Sequence, residues 1–150
     1  MYECNLSEAF MERILPFESV AFEKNFTFTY DIEPDITLNG VRDQLQQVLT
    51  TMIDNAFYHT TPNGSIGITL SQNNRVITLT VSNTGKAIPP EEQEKLFQRF
   101  YRSDKSRSRE NGHFGLGLSI AKTIVEQHNG SIKIHCEQGT TSFITTFRKQ

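Results

Sequence analysis

Between Val41 and His59 the apolar residues Leu45, Val48, Leu49, Met52, Ile53 and Ala56 recur with helical spacing and form one stripe, which Thr60-Thr61-Pro62-Asn63-Gly64 brings to an end. Directly after it the period changes. Ile66, Ile68 and Leu70 alternate with polar residues, Asn73-Asn74 marks a turn, and Ile77, Leu79 and Val81 alternate again, the pattern of a β-hairpin with one apolar face. A one-faced helix and a one-faced hairpin each need a cover. The economical solution is for each to cover the other, which predicts a layered α/β fold.

The rest of the chain extends that layer. Leu6, Phe10, Ile14 and Phe17 predict a helix over Leu6 to Glu18 that ends near Pro16, and Phe26, Phe28, Tyr30 and Ile32 alternate as a half-buried strand. A short helix is expected around Pro90 to Phe97. The polar, basic stretch Arg102 to Gly112 lacks apolar periodicity and reads as a long mobile loop. Leu116, Ile120 and Ile124 place a helix over Gly115 to His128, closed by Asn129-Gly130, with strands following at Ile132 to Cys136 and Phe143 to Phe147.

At 150 residues, with no repeats and no low-complexity tract, the chain is expected to be one domain. Fifteen Lys and Arg against 17 Asp and Glu, with no sustained basic run, argue against nucleic acid as the main ligand. No apolar run reaches membrane-spanning length and MYECNLSEAF lacks the pattern of an export signal, so a soluble, cytoplasmic domain is expected. Cys4 and Cys136 have no CxxC partner, which excludes a cysteine-rich zinc site. Cys136, within an apolar alternation, reads as a small core residue.

Three segments carry candidate chemistry. In GHFGLGL, residues 112–118, Gly115 and Gly117 would open a helix whose backbone N–H groups can hold phosphate. Arg99, Arg102, Lys105, Arg107 and Arg109 precede it and supply cations. On the long helix Thr51, Asn55 and His59 recur every four residues on a face apart from the apolar stripe; the neutral amide oxygen of Asn55 suits magnesium, which takes few protein ligands. After the strand ending at Val81, Asn83 can present an acceptor to a ring edge while Gly85 admits a close ligand.

In this order the segments resemble the ATP-binding catalytic domain of bacterial sensor histidine kinases, in the superfamily shared with type II topoisomerases. QVLTTMIDNAFYHT at 47–60 is similar to the N box, VSNTGKAIP at 81–89 to the first glycine box, LFQRFYRSDKSRS at 96–108 to the F box and GHFGLGLSIAK at 112–122 to the second glycine box. GTTSF at 139–143 is loosely similar to the last box. The resemblance implies a two-layer sandwich of about three helices on a mixed, mostly antiparallel five-stranded sheet. It implies ATP and magnesium as cofactors, with Asn55 on the metal and Asn83 accepting from the adenine amino group. Gly85, Ile88, Leu118 and Thr140 would border the nucleotide, and Gly115, Leu116 and Gly117 would offer backbone to the phosphates. Arg102 would lie near the γ-phosphate, with Lys105 and Arg107 compensating charge, and Phe97 and Phe100 would anchor the base of a lid.

Four positions depart from the family pattern. Asn83 stands where Asp is usual, Ala87 replaces a glycine, Tyr58 replaces a common Lys and Thr51 replaces the first Asn of the N box. Hydrolysing relatives carry Glu at the position of Thr51; a threonine is a poor general base, so hydrolysis as the main activity is disfavoured. None of His59, His113, His128 or His135 begins the family's phosphoacceptor pattern. The implied function is therefore γ-phosphate donation to a histidine on a separate dimerisation helix domain, with a response regulator downstream. The chain would be a fragment of a longer, membrane-anchored homodimeric kinase, at the inner face of the cell membrane. A serine kinase of the anti-sigma-factor type and a degenerate scaffold share the boxes; FQRFYR and SDKSRS favour the sensor kinase.

Overall fold

A computed structural model describes residues 1–98 and 117–149. In chain order these form β1 (Tyr2–Asn5), α1 (Leu6–Ile14), α2 (Phe17–Glu23), β2 (Thr27–Ile32), β3 (Thr37–Gly40) and α3 (Arg42–His59), then β4 (Ser65–Gln72) and β5 (Val76–Thr84). After α4 (Pro90–Gln93) come α5 (Gly117–Gln127), β6 (Gly130–Glu137) and β7 (Thr140–Arg148).

The main sheet has five strands in the order β2-β4-β5-β7-β6. Only β2–β4 is parallel; the other three pairings are antiparallel. Alternation buries Ile66, Ile68 and Leu70 of β4, Ile77, Leu79 and Val81 of β5, and Phe143 and Phe147 of β7 on one face. Against that face pack Leu45, Val48, Leu49, Met52, Ile53 and Ala56 of α3 and Ala121, Ile124 and Val125 of α5. Three helices, α1, α3 and α5, supply nearly all the buried helical residues, since α2 buries only Ala21 and α4 buries none. The layered α/β expectation holds among the described residues.

Differences from the sequence reading have local causes. The helix expected over residues 6–18 is two helices: α1 stops at Ile14, and Pro16, which has no N–H to offer the preceding turn, instead precedes the first turn of α2. A separate two-stranded sheet pairs β1 with β3, opposing Cys4 to Leu38. The helix expected over residues 90–97 is only the single turn Pro90–Gln93, followed by turns. At the far end α5 closes with Asn129 in the left-handed conformation at φ 61°, as the Asn-Gly pair implied.

Candidate functional site

Thr51, Asn55 and His59 lie on one face of α3, with Thr51 and Asn55 half-buried and His59 exposed. Among the described residues no hydrogen bond engages the Asn55 amide. Two glycines mark what approaches this face. A Cβ at Gly117, the first residue of α5, would fall 3.2 Å from Thr51 Cγ2. One at Gly85, just past β5, would fall 2.9 Å from the His59 carbonyl oxygen and 3.0 Å from Asn83 Nδ2. Thr51 and His59 are about 12 Å apart at the α-helical rise, so α5 begins at one end of a polar face and β5 ends at the other, with Asn55 between them.

Asn83 is the last inward-facing residue of β5 and is 4% exposed. Its Nδ2 donates to the Thr84 carbonyl at 3.2 Å, which leaves Oδ1 as the acceptor. Across the sheet Asn83 pairs with Thr141, also buried, whereas Thr140 pairs with Thr84 and belongs to the opposite, half-buried face. The strand parity therefore brings Thr141 rather than Thr140 beside Asn83. The β7 alternation carried this signal: Thr141 is an even number of residues from Phe143 and Phe147, and Thr140 is not.

Ile88 is half-buried, and its carbonyl accepts from Gln93 Nε2 at 2.8 Å. Leu118 is half-buried against the core. Phe97 meets Phe143 edge-on with centroids 6.2 Å apart and lies under Lys122 Nζ at 5.8 Å, so this aromatic is held by packing. Tyr58 packs edge-on against the His59 ring at 4.8 Å. Cys136 is half-buried rather than a core residue, because β6 is the edge strand; its Sγ lies 3.6 Å from Thr141 Oγ1 and 3.8 Å from Gln93 Nε2. Arg99, Phe100, Arg102, Lys105, Arg107, Arg109, Gly115 and Leu116 lie outside the described residues, as does the expected lid.

The polar face thus presents amide oxygens and hydroxyls, with no titrating side chain between Thr51 and Asn83 on α3 and β5 except exposed His59 and Asp54 and the Tyr58 phenol. Such a surface can bind and orient a ligand. Among the described residues no group of three or more His, Cys, Asp or Glu could hold a metal ion.

Residues 40–150 match the model of the histidine kinase-, DNA gyrase B- and HSP90-like ATPase family. The chain belongs to this family. The domain is 38% identical over 134 residues to the sensor protein DltS of Streptococcus agalactiae serotype V, covering 89% of the chain and 34% of that protein. It is 38% identical over 146 residues to the signal transduction histidine-protein kinase ArlS of Staphylococcus haemolyticus, covering 97% of the chain and 31% of the kinase. The domain therefore spans about a third of the length of these relatives. Among solved structures, the catalytic domain of histidine kinase ThkA is similar with a TM-score of 0.86 and 31% identity, covering 98% of this chain and 94% of that one. The same kinase in complex with the response regulator TrrA is similar with a TM-score of 0.82 and 30% identity, covering 99% of this chain and 41% of that one. Among the described residues no helix is long and apolar enough to cross a membrane.

Proposed function

We propose that this domain binds magnesium-ATP along the polar face of α3 and donates the γ-phosphate to a histidine on a separate dimerisation helix domain, as part of a two-component sensor kinase. The observation that carries the reading is the convergence of Gly117 and Gly85 on the two ends of the α3 face that holds Asn55. One end suits an adenine ring: Asn83 offers an acceptor, Gly85 carries no side chain, and Ile88 and Thr141 lie close by, with Thr140 on the outer face, while Leu118, next to Gly117, would border the nucleotide between the two ends. The other suits phosphates, with backbone N–H groups at Gly115, Leu116 and Gly117 and charge from Arg102, Lys105 and Arg107.

Asn55 fits magnesium because a half-buried amide oxygen without a described partner can serve as one neutral ligand while phosphates and water supply the rest. Bound there, the ion would neutralise phosphate charge. The chain's own work is to hold the triphosphate in line with an external imidazole, which already has a lone pair and needs no base. Thr51 agrees with that division, since a threonine hydroxyl is a poor general base for activating water at neutral pH.

The solved complex of ThkA with TrrA supports a response regulator as a partner. The sensor-kinase relatives favour this reading over a serine kinase of the anti-sigma-factor type. The parent is read as a homodimer anchored in the membrane, with this domain cytoplasmic at its inner face. A fluorescent ATP analogue titrated into the protein with magnesium and then with EDTA tests the reading. Binding should be saturable and weaken by about tenfold or more without the ion, the loss of one charge-assisted contact. Equal affinity in the two conditions would remove magnesium from the site, and no binding at all would remove ATP.

A further inference from the structure

His128, in the turn that follows α5, is 2% exposed, and each ring nitrogen has a partner of fixed polarity. Nδ1 lies 2.7 Å from the Ile124 carbonyl oxygen, which can only accept, and Nε2 lies 3.1 Å from the Val41 backbone nitrogen, which can only donate. The neutral tautomer with its proton on Nδ1 satisfies both. Val41 is the N-cap of α3, and no side-chain hydrogen bond from Val41 caps that helix. The imidazole therefore takes the N-cap N–H that the N3 carboxylate takes in a capping box, but from a different element. Space around the ring is as strict as its polarity. A Cβ on Gly40 would fall 2.6 Å from His128 Cδ2 and 2.9 Å from Nε2, so the ring fits where it does because residue 40 has no side chain.

This clamp and the nucleotide face lie at opposite ends of one antiparallel helix pair. Residue 128 meets residues 40 and 41 at the start of α3, and residue 117 meets residue 51 one turn before Asn55. Fixing one end of α5 fixes the other, because a helix of 11 residues transmits a shift along its axis as a rigid body.

We infer that His128 is a positioning residue for nucleotide binding: its neutral imidazole, donating to Ile124 and accepting from Val41, sets the register of α5 on α3 and thereby the place of Gly117 relative to Asn55. The inference rests on the ATP reading above for its functional consequence and on the geometry alone for the clamp. His128→Gln keeps an acceptor near the position of Nε2, whereas His128→Leu fills the volume and removes both bonds.

The test uses the whole chain, three measurements and three variants. The ring ¹⁵N resonances of His128 should show a protonated Nδ1 and an unprotonated Nε2 in the wild type; a proton on Nε2 overturns the clamp whatever any variant does. The nuclear Overhauser contact between the Thr51 methyl and the Gly117 α-protons reports the register. It should persist in His128→Gln and weaken or vanish in His128→Leu. Affinity for a non-hydrolysable ATP analogue should fall by about tenfold in His128→Leu, the loss expected when the binding-competent register of α5 is only about a tenth populated, and return to within about threefold of wild type in His128→Gln. Gly40→Ala, measured as the fourth arm, should reproduce the leucine effect by displacing the ring; if His128→Leu fails to fold, this variant and the glutamine variant decide. Wild-type affinity in His128→Leu or Gly40→Ala, or no recovery in His128→Gln, overturns the inference. If the wild type itself binds no ATP analogue while the ring protonation and the Thr51–Gly117 contact are as described, the ATP reading fails and the clamp stands.

Discussion

Replacing Asn55 by alanine should move two properties of the domain in opposite directions. The residue is in the interior of α3, half-buried, and its amide has no hydrogen-bond partner among the described residues, so no described hydrogen bond is lost with it. Alanine is the better helix former by up to about 0.7 kcal/mol, which offsets the small loss of packing and leaves the empty protein as stable or slightly more so. With nucleotide the sign reverses. An amide oxygen lost from a charged ligand costs about 1.5–3 kcal/mol, or roughly 10- to 100-fold in affinity. At a ligand concentration of about 100 times the wild-type Kd, binding stabilises the wild type by about 2.7 kcal/mol; after a hundredfold loss the same concentration yields only about 0.4 kcal/mol. Thermal unfolding with and without magnesium and an ATP analogue reads both quantities at once. The empty variant should unfold within about 3 °C of the wild type, since 1 kcal/mol moves the midpoint of a domain this size by roughly 2–4 °C. The ligand-induced rise should largely disappear. A ligand-induced rise equal to the wild type's refutes the placement of Asn55, and a loss of several degrees in the empty protein refutes the claim that its amide is uncommitted.

Gly85→Ala should fail differently. Its new Cβ would lie 2.9 Å from the backbone oxygen of His59, which cannot swing aside, so the empty protein should lose about 1–3 kcal/mol in a denaturant titration and nucleotide affinity should fall as well. Burial pushes the Cys4 thiol pKa up, with the nearby Arg42 guanidinium partly opposing it. The folded state thus holds the Cys4 proton more tightly than the unfolded chain does. The stability this supplies is complete below the unfolded thiol's pKa and is lost as pH rises through the folded one, so Cys4→Ala should flatten the alkaline limb of a stability–pH curve. Arg102→Ala should slow phosphotransfer from the saturated complex more than it weakens ADP binding, because its expected contact is with the γ-phosphate; equal losses in ADP and ATP binding with unchanged transfer would contradict that role.

Much of this architecture is legible in the sequence, and the parts that are not share a cause. The α3 stripe and the β4–β5 hairpin carry their own period over many residues, so burial follows from spacing alone. β1 and β3 are four residues each, too short to display a period, and they exist because Cys4 and Leu38 meet across a distance in sequence. The break at Pro16 was visible as a stop, but Phe17 continues the apolar spacing into α2 and so disguised two helices as one. Asn55, Asn83 and Gly85 are nameable from box order alone. That Thr141 rather than Thr140 lies beside Asn83 is harder to see, because the last box matches only loosely and the paired threonines differ solely in strand parity. In the sequence His128 marks the end of a helix and fails the phosphoacceptor pattern; its hydrogen bond to Val41, 87 residues away, leaves no local signal.

The central claim is that this domain supplies phosphate from ATP while the accepting histidine lies on another domain. Its most direct test is to incubate the protein with magnesium and ATP labelled in the γ-phosphate, with and without the dimerisation helix domain of its own kinase, and to count acid-labile phosphate on each polypeptide. Label should accumulate on the added helix domain, depend on magnesium, and stay absent from this chain, with only very slow release of free phosphate. Stable label on this chain in the absence of the helix domain, or rapid phosphate release without transfer, would contradict the account.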